Sequence, residues 1–108
     1  MAHLAECHVA ASQKLYERAM SIELRRCALP FRAQVPMPVT YKGDPVGDVY
    51  ADLVVADCVI VELECVSTYH SAHLAQLLSY LTTADLHLGL LVNFNAPLLV
   101  KGVKRVVR

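Results

Sequence analysis

Four carboxylates stand in the stretch ADLVVADCVIVELE, residues 51–64: Asp57 at the apparent turn, and Asp52, Glu62 and Glu64, each beside runs of valine, leucine and isoleucine. A carboxylate next to a buried strand is costly unless something cationic meets it. These acids therefore call for a metal, a paired base or an edge that reaches water. If the two apolar runs form a hairpin, the loop length decides between these. A two-residue loop, Ala56 and Asp57, sets Asp52 opposite Val61 and turns Glu62 to the other side of the sheet. A three-residue loop, Ala56 to Cys58, sets Asp52 opposite Glu62, with Glu64 on the same face. Opposed acids repel unless a cation bridges them, and two carboxylates with an open position suit a hydrated Mg²⁺ or Mn²⁺, which keeps several of its waters.

A second polar group lies further along. His73, Gln76 and Tyr80, at i, i+3 and i+7, share one side of a helix, with His70 about one turn earlier. Cys65, His70 and His73 form C-x₄-H-x₂-H, which lacks a fourth ligand and matches no common zinc finger. Cys65 reads instead as a small core residue. Nucleophile elbows of the G-x-S-x-G type and Gly-rich phosphate loops do not occur in the chain.

The elements that must position these groups follow from periodicity and from the breakers. Residues 2–27 contain no glycine or proline, and Leu15, Ala19 and Ile22 recur at helical spacing, which predicts one long helix, bent near Ser12. Pro30, Pro36 and Pro38 end it, so AQVPMPVTY is expected as an edge or irregular strand, and YKGDPVGD as a turn. VYADLVV and CVIVELE read as the hairpin, buried on both faces. A second helix runs from His70 to about Ala84 with the stripe Leu74, Leu77, Leu78 and Leu81. LHLGLLVNF and GVKRVVR supply two more strands. The expected fold is α/β, a central mixed sheet flanked by helices, formed by residues 1–108 as a single domain.

Composition narrows the function classes. The chain is 56% hydrophobic and 19% charged, with a mean hydropathy of +0.40, apolar for a domain of 108 residues. That excess points to an interface with another subunit. Net charge is zero, so no overall field steers the chain to nucleic acid, although the last eight residues hold Lys101, Lys104, Arg105 and Arg108 without an acid. Cys7, Cys27, Cys58 and Cys65 form no C-x-x-C pair and no signal peptide is evident, which predicts a cytoplasmic protein with reduced thiols. Acids interrupt the longest apolar candidate for a membrane span.

GDVYADLVVADCVIVELE, then HLAQLLSYL, then LGLLVNFNAPLLVKGVKRVV together resemble the GxxExxY family, a branch of the PD-(D/E)XK nuclease superfamily. The likeness is collinear from about Tyr16 to the C-terminus. It implies the nuclease-like fold, divalent-metal phosphodiester hydrolysis and nucleic acid as partner. Asp52 matches the metal-binding aspartate and Glu62 the acid of (D/E)-x-K, with the Leu63 carbonyl as a further ligand. Gln76 and Tyr80 match a Q-x-x-x-Y helix motif and His73 a histidine frequent in this branch. The pattern departs at Glu64, where the family has lysine. It also departs at Gln13 and Ala10, where the signature has glutamate and glycine. Lys14, and less favourably Lys42, could supply the displaced cation. Members usually carry another helix ahead of the signature, and its shortness here predicts an exposed apolar surface and a homodimer or larger. The resulting expectation is a nuclease-like protein with hydrolysis impaired by Glu64, or else a non-catalytic, self-associating protein on the same fold.

Overall fold

A computed structural model describes residues 9–68, 71–95 and 102–108, with side chains from Gln13 onward in the first helix. In chain order these form α1 (Val9–Arg26), β1 (Phe31–Tyr41), β2 (Asp44–Val55), β3 (Val59–Glu64), α2 (Ser71–Ala84), β4 (Leu88–Asn93) and β5 (Val103–Val107). The five strands lie side by side in sequence order. The β3–β4 pair is parallel and the other three pairs are antiparallel. That arrangement is the mixed α/β sheet expected, with α2 making the crossover that parallel neighbours require.

The two helices cover opposite faces. Leu77, Tyr80 and Leu81 of α2 are buried against Met37, Ala51, Val54, Ile60, Leu91 and Val106. Met20 and Leu24 of α1 pack on Leu53, Val61, Leu63 and Val92. Because β3 alternates between the faces, Ile60 meets α2 whereas Val61 and Leu63 meet α1. Glu62 and Glu64, two and four residues from Ile60, therefore belong to the α2 face. The approach of α2 is close at Gly89, where an added Cβ would fall 2.8–2.9 Å from the end of the Leu77 side chain. Gly89→Ala is expected to push α2 outward and cost about 1–3 kcal/mol, read as a lower melting temperature with the sheet's circular dichroism retained.

Three sequence expectations change in register. Leu15, Ala19 and Ile22 do not face the sheet: Leu15 is 63% and Ile22 49% exposed. The inward stripe of α1 is Tyr16, Met20 and Leu24, drawn in because the Tyr16 ring stacks on Phe94 with centroids 4.2 Å apart. Leu78 likewise turns outward while Leu77 and Leu81 are buried, since a helix offers its neighbour a stripe narrower than all four leucines. The first hairpin turn is also shorter than YKGDPVGD. Lys42 and Gly43, both with positive φ, make a two-residue connection, and β2 already begins at Asp44. Pro45 is accommodated beside a bulge at Val39/Thr40.

The C-terminal basic residues divide. Lys104 and Arg105 are exposed, whereas the Arg108 guanidinium donates to the Leu81 and Thr82 carbonyls and pairs with Asp85 at 2.8 Å. Arg108 thus closes the C-terminal end of α2, whose last carbonyls carry partial negative charge. Lys101 lies outside the described residues, as do Cys7 and His70, and with His70 the C-x₄-H-x₂-H spacing. Among the described residues no helix is long and apolar enough to cross a membrane.

Candidate active site

The loop between β2 and β3 holds three residues, because Val55 pairs with Val59 and Leu53 with Val61. Ala56 and Asp57 carry the positive φ values of this turn. Continuing that register sets Asp52 opposite Glu62, the arrangement in which the acids share a site. The backbone ladder, however, stops at Leu53 and Val61. Beyond it the two strands part, and the acids themselves span the gap. The Asp52 N–H donates to Glu62 Oε1 at 3.0 Å, and the Leu63 N–H donates to Asp52 Oδ2 at 2.8 Å. Side chains thereby satisfy the backbone donors that the missing rungs leave open.

A local break in the pleat aims Asp52 into this fork. Ala51 packs on the α2 face and Leu53 on the α1 face, although residues two apart share a face in an unbroken strand. Opposite them, Gln34 adopts φ 51° and interrupts the pairing between Ala33↔Leu53 and Val35↔Ala51. Its amide then donates to Asp52 Oδ1 at 3.4 Å and to Glu17 Oε2 at 3.0 Å. Gln34 is the residue that sequence reasoning missed: a polar residue in a strand gives no sign of left-handed backbone.

Asp52 accordingly reaches both sides of the sheet. On the α1 side it lines a cleft of about 440 Å³ with Gln13, Lys14, Glu17, Arg18 and Gln34. Gln13 donates its amide to the Leu63 carbonyl at 3.3 Å. Since N–H and C=O of one strand residue point the same way, Leu63 presents both groups to the fork. On the α2 side lie Glu62, only 6% exposed, and Glu64, whose Oε2 is 3.9 Å from His73 Nε2. Gln76 donates to the Tyr80 hydroxyl at 2.6 Å, one helical turn apart, and the charges of Glu62, Asp52 and Glu64 reach that hydroxyl. The structure thus gathers Asp52, Glu62, Leu63, Glu64, His73 and Tyr80. It separates Lys14 from Glu64, which belong to opposite faces. Lys42 is further removed, in the hairpin turn with its Nζ over the Tyr41 ring. Arg18, one turn beyond Lys14, is a second cation of the cleft that its i+4 spacing could have revealed.

The electrostatics follow from burial. Glu62 is pushed up to about 8, first by desolvation and then by the Asp52 charge, and a hydrogen bond links the two side chains. Asp52 is raised chiefly by burial, against the Leu63 N–H and Gln34, which favour its charged form. Glu64 is raised by burial and by Asp52 and is held back by His73. At neutral pH Glu62 retains a proton that it shares with Asp52. The shared proton spares the two acids the repulsion of two full charges at this separation.

Among the described residues no three His, Cys, Asp or Glu side chains converge closely enough to hold a metal on their own. The donors at the fork are two carboxylates and the Leu63 carbonyl, a hard oxygen set. It fits an ion that keeps most of its waters rather than one enclosed by protein. The glutamine contacts at 3.3 and 3.4 Å are long and readily exchanged for a ligand.

A family model of the PD-(D/E)XK nuclease superfamily matches residues 6–106. With that match, and with the sheet and helix order just described, the chain belongs to this superfamily, whose members generally use divalent metals. No curated protein and no solved structure matches it significantly.

Proposed function

We propose that this chain is a nuclease-like domain of the GxxExxY branch that recognises a phosphodiester through a divalent ion and hydrolyses it poorly. Asp52, Glu62 and the Leu63 carbonyl would hold Mg²⁺ or Mn²⁺. Such an ion lowers the pKa of bound water and offsets the charge that develops on phosphate. Lys14 and Arg18 supply positive charge on the α1 side of Asp52, suited to holding a phosphate away from the reacting centre. Gln76 and Tyr80 border the acids on the α2 side, where they would orient the substrate.

One observation carries the reading of impairment. The position that should present lysine presents Glu64, partly buried, facing His73 and raising the acid next to it. A carboxylate there repels the phosphate that a lysine would attract. The expected result is weak or undetectable cleavage of single- and double-stranded DNA with Mn²⁺ or Mg²⁺. A gain on the order of 10²-fold is expected in Glu64→Lys, the scale of one well-placed electrostatic donor, and loss of that gain when Asp52→Ala is added. Efficient cleavage by the parent that Glu64→Lys does not raise would refute impairment at this position.

A second reading rests on the same acids. Glu62 and Asp52 satisfy each other through a shared proton and through two backbone N–H groups, so the fork closes without any ion. Absence of both Mn²⁺ binding and cleavage, in parent and in Glu64→Lys, would favour a non-catalytic protein on this fold.

A further inference from the structure

An ion that keeps most of its waters needs protein oxygens turned toward the solvent it comes from. At the fork the oxygens are divided. Glu62 Oε1 accepts the Asp52 N–H and Asp52 Oδ2 the Leu63 N–H, so both are engaged between the strands. Two further acceptors, Asp52 Oδ1 and the Leu63 carbonyl, each meet a glutamine of the α1-side cleft: Gln34 from β1 and Gln13 from α1.

Gln34 reaches its place through a costly backbone. Among the described residues, the other non-glycine positions with positive φ are Ala28, Lys42, Ala56, Asp57 and Asp85, which lie in turns, whereas Gln34 lies inside a strand. Such strain in the middle of a strand points to a task for the side chain. Holding Asp52 is not that task, since the Leu63 N–H does so at 2.8 Å, against 3.4 Å for the Gln34 amide. The same amide nitrogen lies 3.0 Å from Glu17 Oε2. One NH₂ group thus stands between two carboxylates, in the manner of a bridging cation. Gln13 does the same for the second acceptor, its amide 3.3 Å from the Leu63 carbonyl.

We infer that Gln13 and Gln34 form a plug in the acid fork: from the cleft, their amide N–H groups occupy oxygens that a divalent ion would take, and the ion enters by displacing them. The inference rests on the ion proposed for the fork and identifies what governs its entry. Two amide donors satisfy Asp52 Oδ1 and the Leu63 carbonyl without bringing a full charge, so the fork closes when no ion is present. Both contacts are long, which places each near the lower end of a hydrogen bond's net worth over water. The plug therefore weakens ion binding without forbidding it. Its effect adds to that of Glu64, from the opposite side of the sheet.

Titration calorimetry with Mn²⁺ on the full chain at pH 8 tests this. Gln34→Gly keeps the left-handed backbone without strain and removes the amide, and Gln13→Leu removes the other. Each is expected to tighten Mn²⁺ binding about threefold, and the two together about tenfold, because the amides cap different oxygens. A gain is a result that misfolding cannot produce. Gln34→Asn tolerates the same backbone but is a methylene shorter, and is expected to bind like Gln34→Gly rather than like the parent. The gain at position 34 is expected to persist when Glu17→Gln is added, since it comes from Asp52 Oδ1 and not from the Glu17 charge left without its donor. Loss of the gain in that double variant would overturn the proposal. So would unchanged or weaker binding in the glutamine variants of a parent whose Mn²⁺ binding Asp52→Asn abolishes, and the ion at the fork would then stand without a plug. No Mn²⁺ binding by any of these proteins would overturn both.

Discussion

Free of metal, the protein is expected to grow less stable as pH rises from about 5 toward 8, the reverse of ordinary acid denaturation. Glu62 carries the largest part. Its carboxyl ionises near 4.5 in the unfolded chain and near 8 in the fold. Between those values the folded state holds a proton that the unfolded state has released. The contribution is present in full below the lower value and is lost as pH climbs through the upper one. The slope approaches about 1.4 kcal/mol per pH unit for one proton. Asp52 and Glu64 are raised as well and add in the same direction. Glu62→Gln keeps an oxygen for the Asp52 N–H and replaces the shared proton with an amide donor. That variant is expected to lose the larger part of the pH dependence, keeping the share of Asp52 and Glu64, and to exceed the parent by a few kcal/mol at pH 8. Thermal melts at half-unit pH steps decide it. A parent whose melting point is flat or rises over this interval would show that the acids do not share a proton.

The proton also governs ion binding. A cation entering the fork must displace it, so Mn²⁺ affinity is expected to rise about tenfold per pH unit below 8 and to level off above. Near pH 7 each binding event should release about one proton. Calorimetry in two buffers of different ionisation enthalpy measures that number directly. Asp52→Asn should abolish binding, and in the parent saturating Mn²⁺ should restore the stability lost at pH 8. Binding with the same strength at pH 6 and pH 8 would mean that the ion sits elsewhere.

Much of this could be read before any coordinates, and the reasons are local. The order of elements followed from Pro30, Pro36 and Pro38, from the unbroken apolar runs and from the Leu77 and Leu81 spacing, all of which act on nearest neighbours. The odd loop, Ala56 to Cys58, was one of two permitted alternatives, and only the observed register selects it. The departures needed information from distant parts of the chain. Tyr16 decides which face of α1 turns inward by stacking on Phe94, a ring that periodicity within the helix cannot weigh. Gln34 takes up its left-handed backbone where it faces Asp52 across the strands, and the opposite placement of Lys14 and Glu64 follows from which helix covers which face. The chemical types at the site were legible, then, but their division between two faces was not.

The fork between β2 and β3 changes what the presence of its acids can mean. Asp52 and Glu62 stand in for the rungs of the sheet, holding two strands at a fixed separation by side chain where backbone no longer reaches. Removing either leaves a part-buried N–H without its acceptor, a loss felt in folding before any substrate arrives. A descendant that had abandoned hydrolysis altogether would still need an acceptor oxygen at each of these two positions. In this architecture a persistent acid pair is a seam in the fabric, kept by the strands it joins whatever chemistry accompanies it.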